Sequence, residues 1–270
     1  MAKKLTSSTK ELVIALSILL AITWTSHGDK MPDFDLVVAQ DRSGIHADGF
    51  VAKFISFENT AGAENMQAVA LASESSYSAY YRCRFIGFQD TLYAKREIQF
   101  FRECEIYGTV DFIFGDARVV FQNCKILARK PLPGQSNTIT AQGRESTESI
   151  GGFVIHNCTL TAAPDLLTSN YPVKTYLGRP WKDYSRTVIM ESFLDVLIDA
   201  QGWLEWEGKP TRSNTLYYVE YNNQGPSADT YNRVNWTGYR VISSPMEAIA
   251  FTVRTFISGD TWIPSTEVPY

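Results

Sequence analysis

The sequence predicts an all-β fold, a parallel β-helix in which short strands wind as a solenoid and stack coil on coil. Three observations predict it. Strand-like segments return with one shared pattern, cysteines return in register inside them, and polar residues outside them return at nearly the same period.

The segments are YYRCRFIG (80–87), FFRECEIYG (100–108), VFQNCKIL (120–127) and VIHNCTLT (154–161). Each reads as an apolar pair, about two polar residues, Cys, a polar residue and an apolar one. FVAKFISFENTAG (50–62) and TVIMESFLDV (187–196) are degenerate members. All are short, alternating and rich in β-formers. Cys83, Cys104 and Cys124 follow one another at 21 and 20 residues, and the interval of 34 to Cys158 leaves room for an inserted loop. Strands this short cannot bury a face alone, so their regular return marks a stacked solenoid. Equivalent residues of neighbouring coils then lie ~4.8 Å apart. A β-sandwich, the competing all-β architecture, gives no reason for one residue type to return in register.

Composition sets the bounds. Hydrophobic residues make up 44% and charged residues 20% of 270 positions, ordinary for a folded globular chain. The 13% aromatic content suits a saccharide-binding face or a large core equally. A net charge of −4 leaves no overall footprint for nucleic acid or anionic membrane. Lys3, Lys4 and Lys10 precede an apolar run from Leu12 to Trp24, broken only by Ser17 and Thr23. Residues 1–30 therefore read as a signal peptide or an uncleaved signal anchor, and residues 31–270 as one domain delivered outside the cytoplasm. Asn157 and Asn235 stand in N-glycosylation sequons. The four cysteines show no CxxC metal spacing. One bridge among them is expected in an oxidising compartment, the rest buried as small hydrophobes.

The period also organises the polar residues. Gln67, Gln89 and Asp111 are separated by 22 and 22 residues, and Asp90 precedes Asp111 by 21. One coil of that length brings the four side chains together from three consecutive coils. Two carboxyls on adjacent coils cannot both ionise cheaply, so one keeps its proton. That yields a carboxylate nucleophile beside a carboxylic acid, with two amides as donors to a developing oxyanion. Arg179, in YLGRPW, is the candidate cation for the nucleophile, and Trp181 offers a ring to a sugar face. The plain structural alternative is that these residues satisfy backbone donors in β-helix turns.

QAVAL, FQDTLY, YGTVDFIFG, KPLPGQSNTITAQGR, YLGRPWKDYSRTVIM, GWLEW, EYNNQGP and the ending WIPSTEVPY resemble the plant-type pectinesterase family, from about residue 49 to the C-terminus. The resemblance implies a right-handed, single-stranded, pectin-lyase-like parallel β-helix with a C-terminal tail packed on it. It implies hydrolysis of the C6 methyl esters of homogalacturonan, releasing methanol, by a monomer in the cell wall without metal or other cofactor. It makes Asp111 the nucleophile, Asp90 the acid and then base, and Gln89 and Gln67 the transition-state stabilisers. Arg179 holds the nucleophile, and with Trp181 and Thr60 it contacts substrate. Tyr93, Phe114 and Trp203 fall at aromatic positions that either line the groove or pack the core. Cys104 and Cys124 match the family's disulfide pair. A proteinaceous pectinesterase inhibitor is the implied protein partner.

Against that family the sequence departs in three ways. DLVVAQDRSG (35–44) resembles the opening of the catalytic domain, whereas IHADGFVAKFISFENTAG resembles a segment several coils further on. The first coils are therefore expected to be missing, as is the inhibitor-like N-terminal region. Ala72 stands where Arg is usual, and Asp116 stands where Asn is usual. The extra carboxylate is expected to bear on Asp111. The competing functions are a polygalacturonase or a pectate lyase, a serine esterase, and a pectin-binding remnant without turnover. His27, His46 and His156 sit in no hydrolase motif, no acidic cluster suits calcium, and no GxSxG elbow occurs.

Overall fold

Each coil is closed by a turn whose first residue must adopt a left-handed conformation. Phe54, Arg82, Glu103, Asn123, Asn157, Glu191 and Asn222 occupy the same turn in successive coils, with φ between 47° and 59°. Such backbone is uncommon outside glycine and recurs here because the corner is fixed by strands on both sides. The computed structural model describes residues 44–45, 47–207 and 214–270; the expected signal segment lies outside them.

The first described coil carries β1 (Gly44–Ile45), β2 (Val51–Lys53) and β3 (Ser56–Glu58). The second carries β4 (Leu71–Ser73), β5 (Ser78–Tyr81) and β6 (Arg84–Ile86). Then come β7 (Leu92–Ala94), β8 (Ile98–Arg102) and β9 (Glu105–Gly108), followed by β10 (Ile113–Gly115), β11 (Arg118–Gln122) and β12 (Lys125–Ala128). The next two coils hold β13 (Asn137–Gln142), β14 (Gly152–His156) and β15 (Thr159–Ala162), then β16 (Thr175–Gly178), β17 (Arg186–Met190) and β18 (Phe193–Leu194). Between β15 and β16 lies one turn of helix, α1 (Pro164–Leu167). The last strands are β19 (Tyr217–Tyr221) and β20 (Tyr239–Ile242).

Through β18 every third strand pairs in parallel, and β19 and β20 extend the second sheet. The first sheet runs β1-β4-β7-β10-β13-β16, the second β2-β5-β8-β11-β14-β17-β19-β20, and the third β3-β6-β9-β12-β15-β18. This is the expected right-handed parallel β-helix, the hand that twisted strands impose on parallel crossovers. Register follows the sequence period: Ser78 pairs with Gln99, Ile98 with Arg118, and Arg118 with Gly152 across the long coil.

Because equivalent residues repeat at the strand spacing, inward rings stack. Tyr80 and Phe101 lie 4.4 Å apart at 9°, and Phe101 and Phe121 lie 4.8 Å apart at 25°. The outer face of the second sheet is covered as well. Ala79, Phe100, Val120, Val154, Val188 and Val219 pack against Phe251, Val253, Phe256 and Ile263 of the C-terminal segment, which includes α2 (Pro245–Ala248) and α3 (Val253–Phe256). Burial on both faces explains why β8 and β11 each carry three consecutive buried residues instead of alternating.

The cysteines correct one expectation. Cys104 and Cys124 form no disulfide; all four cysteines are free and buried. They form a ladder just past the left-handed corner, and each thiol is turned to a carbonyl of the preceding coil. Cys83 donates to Ala52 O at 3.4 Å, Cys104 to Tyr80 O at 3.4 Å, Cys124 to Phe101 O at 3.5 Å and Cys158 to Phe121 O at 3.4 Å. Ser192 continues the ladder with its hydroxyl on Ile155 O at 3.4 Å. A small side chain with a weak donor satisfies this corner, which accounts for the repeating Cys without a covalent bond.

Candidate active site

The site forms where the chain turns from the third sheet into the first. Gln67 and Gln89 are joined by a parallel bridge, so the 22-residue spacing does place them in one column. Leu92 pairs with Ile113, and two residues upstream the same register sets Asp90 opposite Asp111. Asp90 N donates to Val110 O at 3.0 Å, tying the two corners together. Both aspartates are left-handed, with φ of 61° and 52°. Asp tolerates that region better than most residues, and the conformation turns each side chain out of the coil.

Arg179 comes from the end of β16, two coils beyond Asp111, and its amide donates to Thr140 O at 2.9 Å. Its guanidinium grips Asp111 with a planar fork, Nε to Oδ1 at 2.8 Å and Nη2 to Oδ2 at 2.8 Å. That geometry fits an ionised carboxylate. Burial pulls the Arg179 pKa down and the bond to Asp111 more than restores it, so the net shift is upward. Asp111 is only 6% exposed. Asp90 behaves differently. Burial, then the charge of Asp111, push its carboxyl up to about 7, and Arg179 offsets only part of this. Arg179 clamps Asp111, and the neighbouring Asp90 holds its proton at mildly acidic pH.

Two further residues complete the clamp. Thr138 Oγ1 donates to Asp111 Oδ1 at 2.6 Å and accepts from Asp111 N at 2.8 Å. Arg179 lies 4.4 Å over the ring of Trp206. Neither was singled out from the sequence, although both stand in family-like motifs, NTITAQ and GWLEW. The period could not point to Thr138, because its coil is lengthened and the residue falls 27 positions after Asp111.

Aromatic side chains wall the site. Tyr93 and Phe114 stack at 4.3 Å and 9°, and Trp181 meets them edge-on at 6.5 and 6.0 Å. Trp181 reaches this position because residue 143 is glycine; a Cβ there would stand 2.6 Å from Trp181 Cε3. Thr60 is exposed. Its neighbour Asn59 donates to Val69 O at 3.1 Å and holds that segment against QAVAL. Trp203 corrects the expectation of a groove residue. It is 1% exposed, packs on Tyr218 at 4.4 Å, and its indole N–H points to Glu220. Glu220 is itself paired with buried Arg233 and bonded by Tyr239. Trp203 bridges to Gly178, which directs its ring into the coil interior.

Asp116 sits in a small polar network of its own. Its oxygens accept from Gln142 Nε2 at 3.1 Å and Ser149 Oγ at 2.7 Å. Among the described residues no group of three His, Cys, Asp or Glu side chains is arranged to hold a metal ion.

Fold and site together define a class: a parallel β-helix carrying an arginine-clamped carboxylate beside a protonated one in an aromatic-walled groove. The pectinesterase family model matches residues 37–260, and the chain belongs to that family. It is 56% identical over 226 residues to pectinesterase 2 of Citrus sinensis, covering 84% of this chain and 44% of that one. It is 55% identical over 223 residues to the pectinesterase/pectinesterase inhibitor PPE8B of Prunus persica, covering 82% and 42%. The chain thus spans less than half the length of these relatives. The solved pectin methylesterase from carrot superposes with a TM-score of 0.85 at 44% identity, over 90% of this chain and 79% of that one.

Proposed function

We propose that the chain hydrolyses the C6 methyl esters of homogalacturonan, releasing methanol. The observation that carries this is the pairing of Asp111, gripped by Arg179 through two 2.8 Å bonds, with Asp90, whose carboxyl is pushed up to about 7. Asp111 attacks the ester carbonyl, and the amides of Gln67 and Gln89 receive the developing oxyanion. Asp90 gives its proton to the departing methanol, leaving an acyl-aspartate. As a carboxylate it then takes a proton from water, which opens the acyl group and restores Asp111. The stacked rings of Tyr93, Phe114 and Trp181 offer faces to the sugars on either side.

The same reading makes the protein a secreted cell-wall enzyme, with residues 1–30 as its export signal and exposed Asn157 and Asn235 open to glycosylation. It includes the loss of the family's first coils where DLVVAQDRSG (35–44) meets IHADGFVAKFISFENTAG, and a proteinaceous inhibitor as partner.

Replacing Asp111 by Asn tests the assignment. Methanol release from esterified pectin should fall at least 1,000-fold, on the order expected for a lost nucleophile. Binding to the same polymer should persist. A variant that still turns over would remove Asp111 from the mechanism.

A further inference from the structure

Beyond the groove, the second sheet carries a row of arginines that form no ion pair with a carboxylate among the described residues. Arg118 opens β11, Gly152 opens β14 and Arg186 opens β17, at equivalent positions of three coils. Gly152 is the gap that lets the row form. A Cβ there would meet Arg186 Cδ at 2.8 Å and the Phe256 ring at 3.1 Å, so the Arg186 side chain lies across the glycine. Beneath the cations runs an aromatic floor. Phe256 and Phe251 are 6.1 Å apart, and Phe251 and Tyr217 are 5.8 Å apart. Arg118 stacks on Phe256 at 4.9 Å, while Arg240 and Arg186 lie over Tyr217 at 4.5 and 5.9 Å.

Among the described residues none of these three arginines forms an ion pair, and Arg118 Nε is buried without a hydrogen-bond partner. The guanidinium of Arg144, close enough to act on Arg186, donates to the carbonyls of Thr147 and Ser149. Burial, then the charges of Arg144 and Arg118, lower the Arg186 pKa, the signature of crowded, uncompensated positive charge. The carboxylate nearest in effect is Asp116, and it is engaged by Gln142 and Ser149. In a chain of net charge −4 this is a local exception.

We propose that Arg118, Arg186 and Arg240 form a second, non-catalytic site that binds the carboxylates of a de-esterified galacturonan stretch. This rests on the substrate class proposed above. A guanidinium held over a ring still carries terminal N–H groups, and their fork matches a planar carboxylate. The side chains arise along the solenoid axis, the Cα atoms of Arg118 and Arg186 about 10 Å apart at two coil spacings. Such a row suits a polymer bearing carboxylates at intervals better than one small anion, because each contact raises the effective concentration for the next. The occupant is the product of the groove chemistry, so the site holds the enzyme on polymer it has already de-esterified.

The test uses the full chain in a Trp181→Ala background, which weakens the groove, and polygalacturonate in affinity gel electrophoresis at low salt. Arg118→Gln with Arg186→Gln should weaken binding at least tenfold, and the Lys pair should fall between. Arg240→Gln, at an exposed position, should weaken it about threefold and guards against misfolding of the buried pair. With Trp181 intact, the Gln pair should release methanol from a short esterified oligomer at the unaltered rate. Unchanged polygalacturonate binding in the folded variants overturns the proposal, and so does equal, arginine-dependent retention of fully esterified pectin. Loss of all methanol release by the unaltered chain would instead overturn the esterase reading and leave the binding result standing.

Discussion

Asp90 offers the sharpest test, because its burial makes a prediction about stability as well as rate. Its carboxyl rises from 3.8 to about 7 in the fold, chiefly through burial and then through Asp111. The unfolded chain therefore loses this proton near pH 4 and the folded chain only near 7. Between those values the folded state binds more protons, so this group's contribution to stability falls as pH rises, and the penalty is complete above 7. Three pH units at about 1.4 kcal/mol each give a penalty on the order of 4 kcal/mol. Asp90→Asn keeps the shape of the protonated acid and cannot ionise. At pH 8 it should therefore be more stable than the parent by about 2 to 4 kcal/mol, or ~10 °C in Tm for a domain of this size. At pH 4 the two should coincide. Methanol release should be lost at both. Urea denaturation of parent and variant at the two pH values measures the difference directly, and unrelated titrations cancel in the comparison. The reasoning is refuted if the gap between variant and parent fails to widen from pH 4 to pH 8.

Two further perturbations follow from the clamp and the wall. Thr138→Val removes the 2.6 Å bond to Asp111 Oδ1 and the acceptor for Asp111 N. It should lower kcat about tenfold while leaving KM near its starting value, which steady-state methanol assays resolve. Gly143→Ala puts a methyl 2.6 Å from Trp181 Cε3 and must displace that ring. KM for polymeric pectin should rise at least fivefold with little change in Tm; an unaltered KM would show that Trp181 does not meet the sugar.

Much of this arrangement was legible because a solenoid converts distance along the chain into distance in space. The 22-residue spacing of Gln67 and Gln89 became a backbone bridge, and the 21-residue step from Asp90 to Asp111 became a direct juxtaposition. Where a coil lengthens, that rule fails. Thr138 hid behind a 27-residue step, and Arg179, 68 residues from Asp111, was reached through its motif and not through the period. Side-chain direction was also hidden. Trp203 and Trp206 lie three residues apart in GWLEW, yet one is sealed against Glu220 and the other lies over Arg179. The cysteine ladder was visible as a repeat. Its chemistry was not, because a column of thiols serves corner carbonyls as readily as it serves a disulfide.

The sequence by itself determined the architecture and the neighbouring placement of Gln67 with Gln89 and of Asp90 with Asp111, since these depend on which residues recur at the coil length, while the pectinesterase kinship was carried by its motifs. Tertiary structure decided the rest: how Arg179 grips Asp111, what raises the Asp90 carboxyl, which tryptophan is sealed in the interior, and where, among the described residues, arginines gather without an ion pair. Those outcomes depend on burial and on partners brought in from coils of unequal length. Charge and hydrogen bonding respond to that neighbourhood and not to position along the chain.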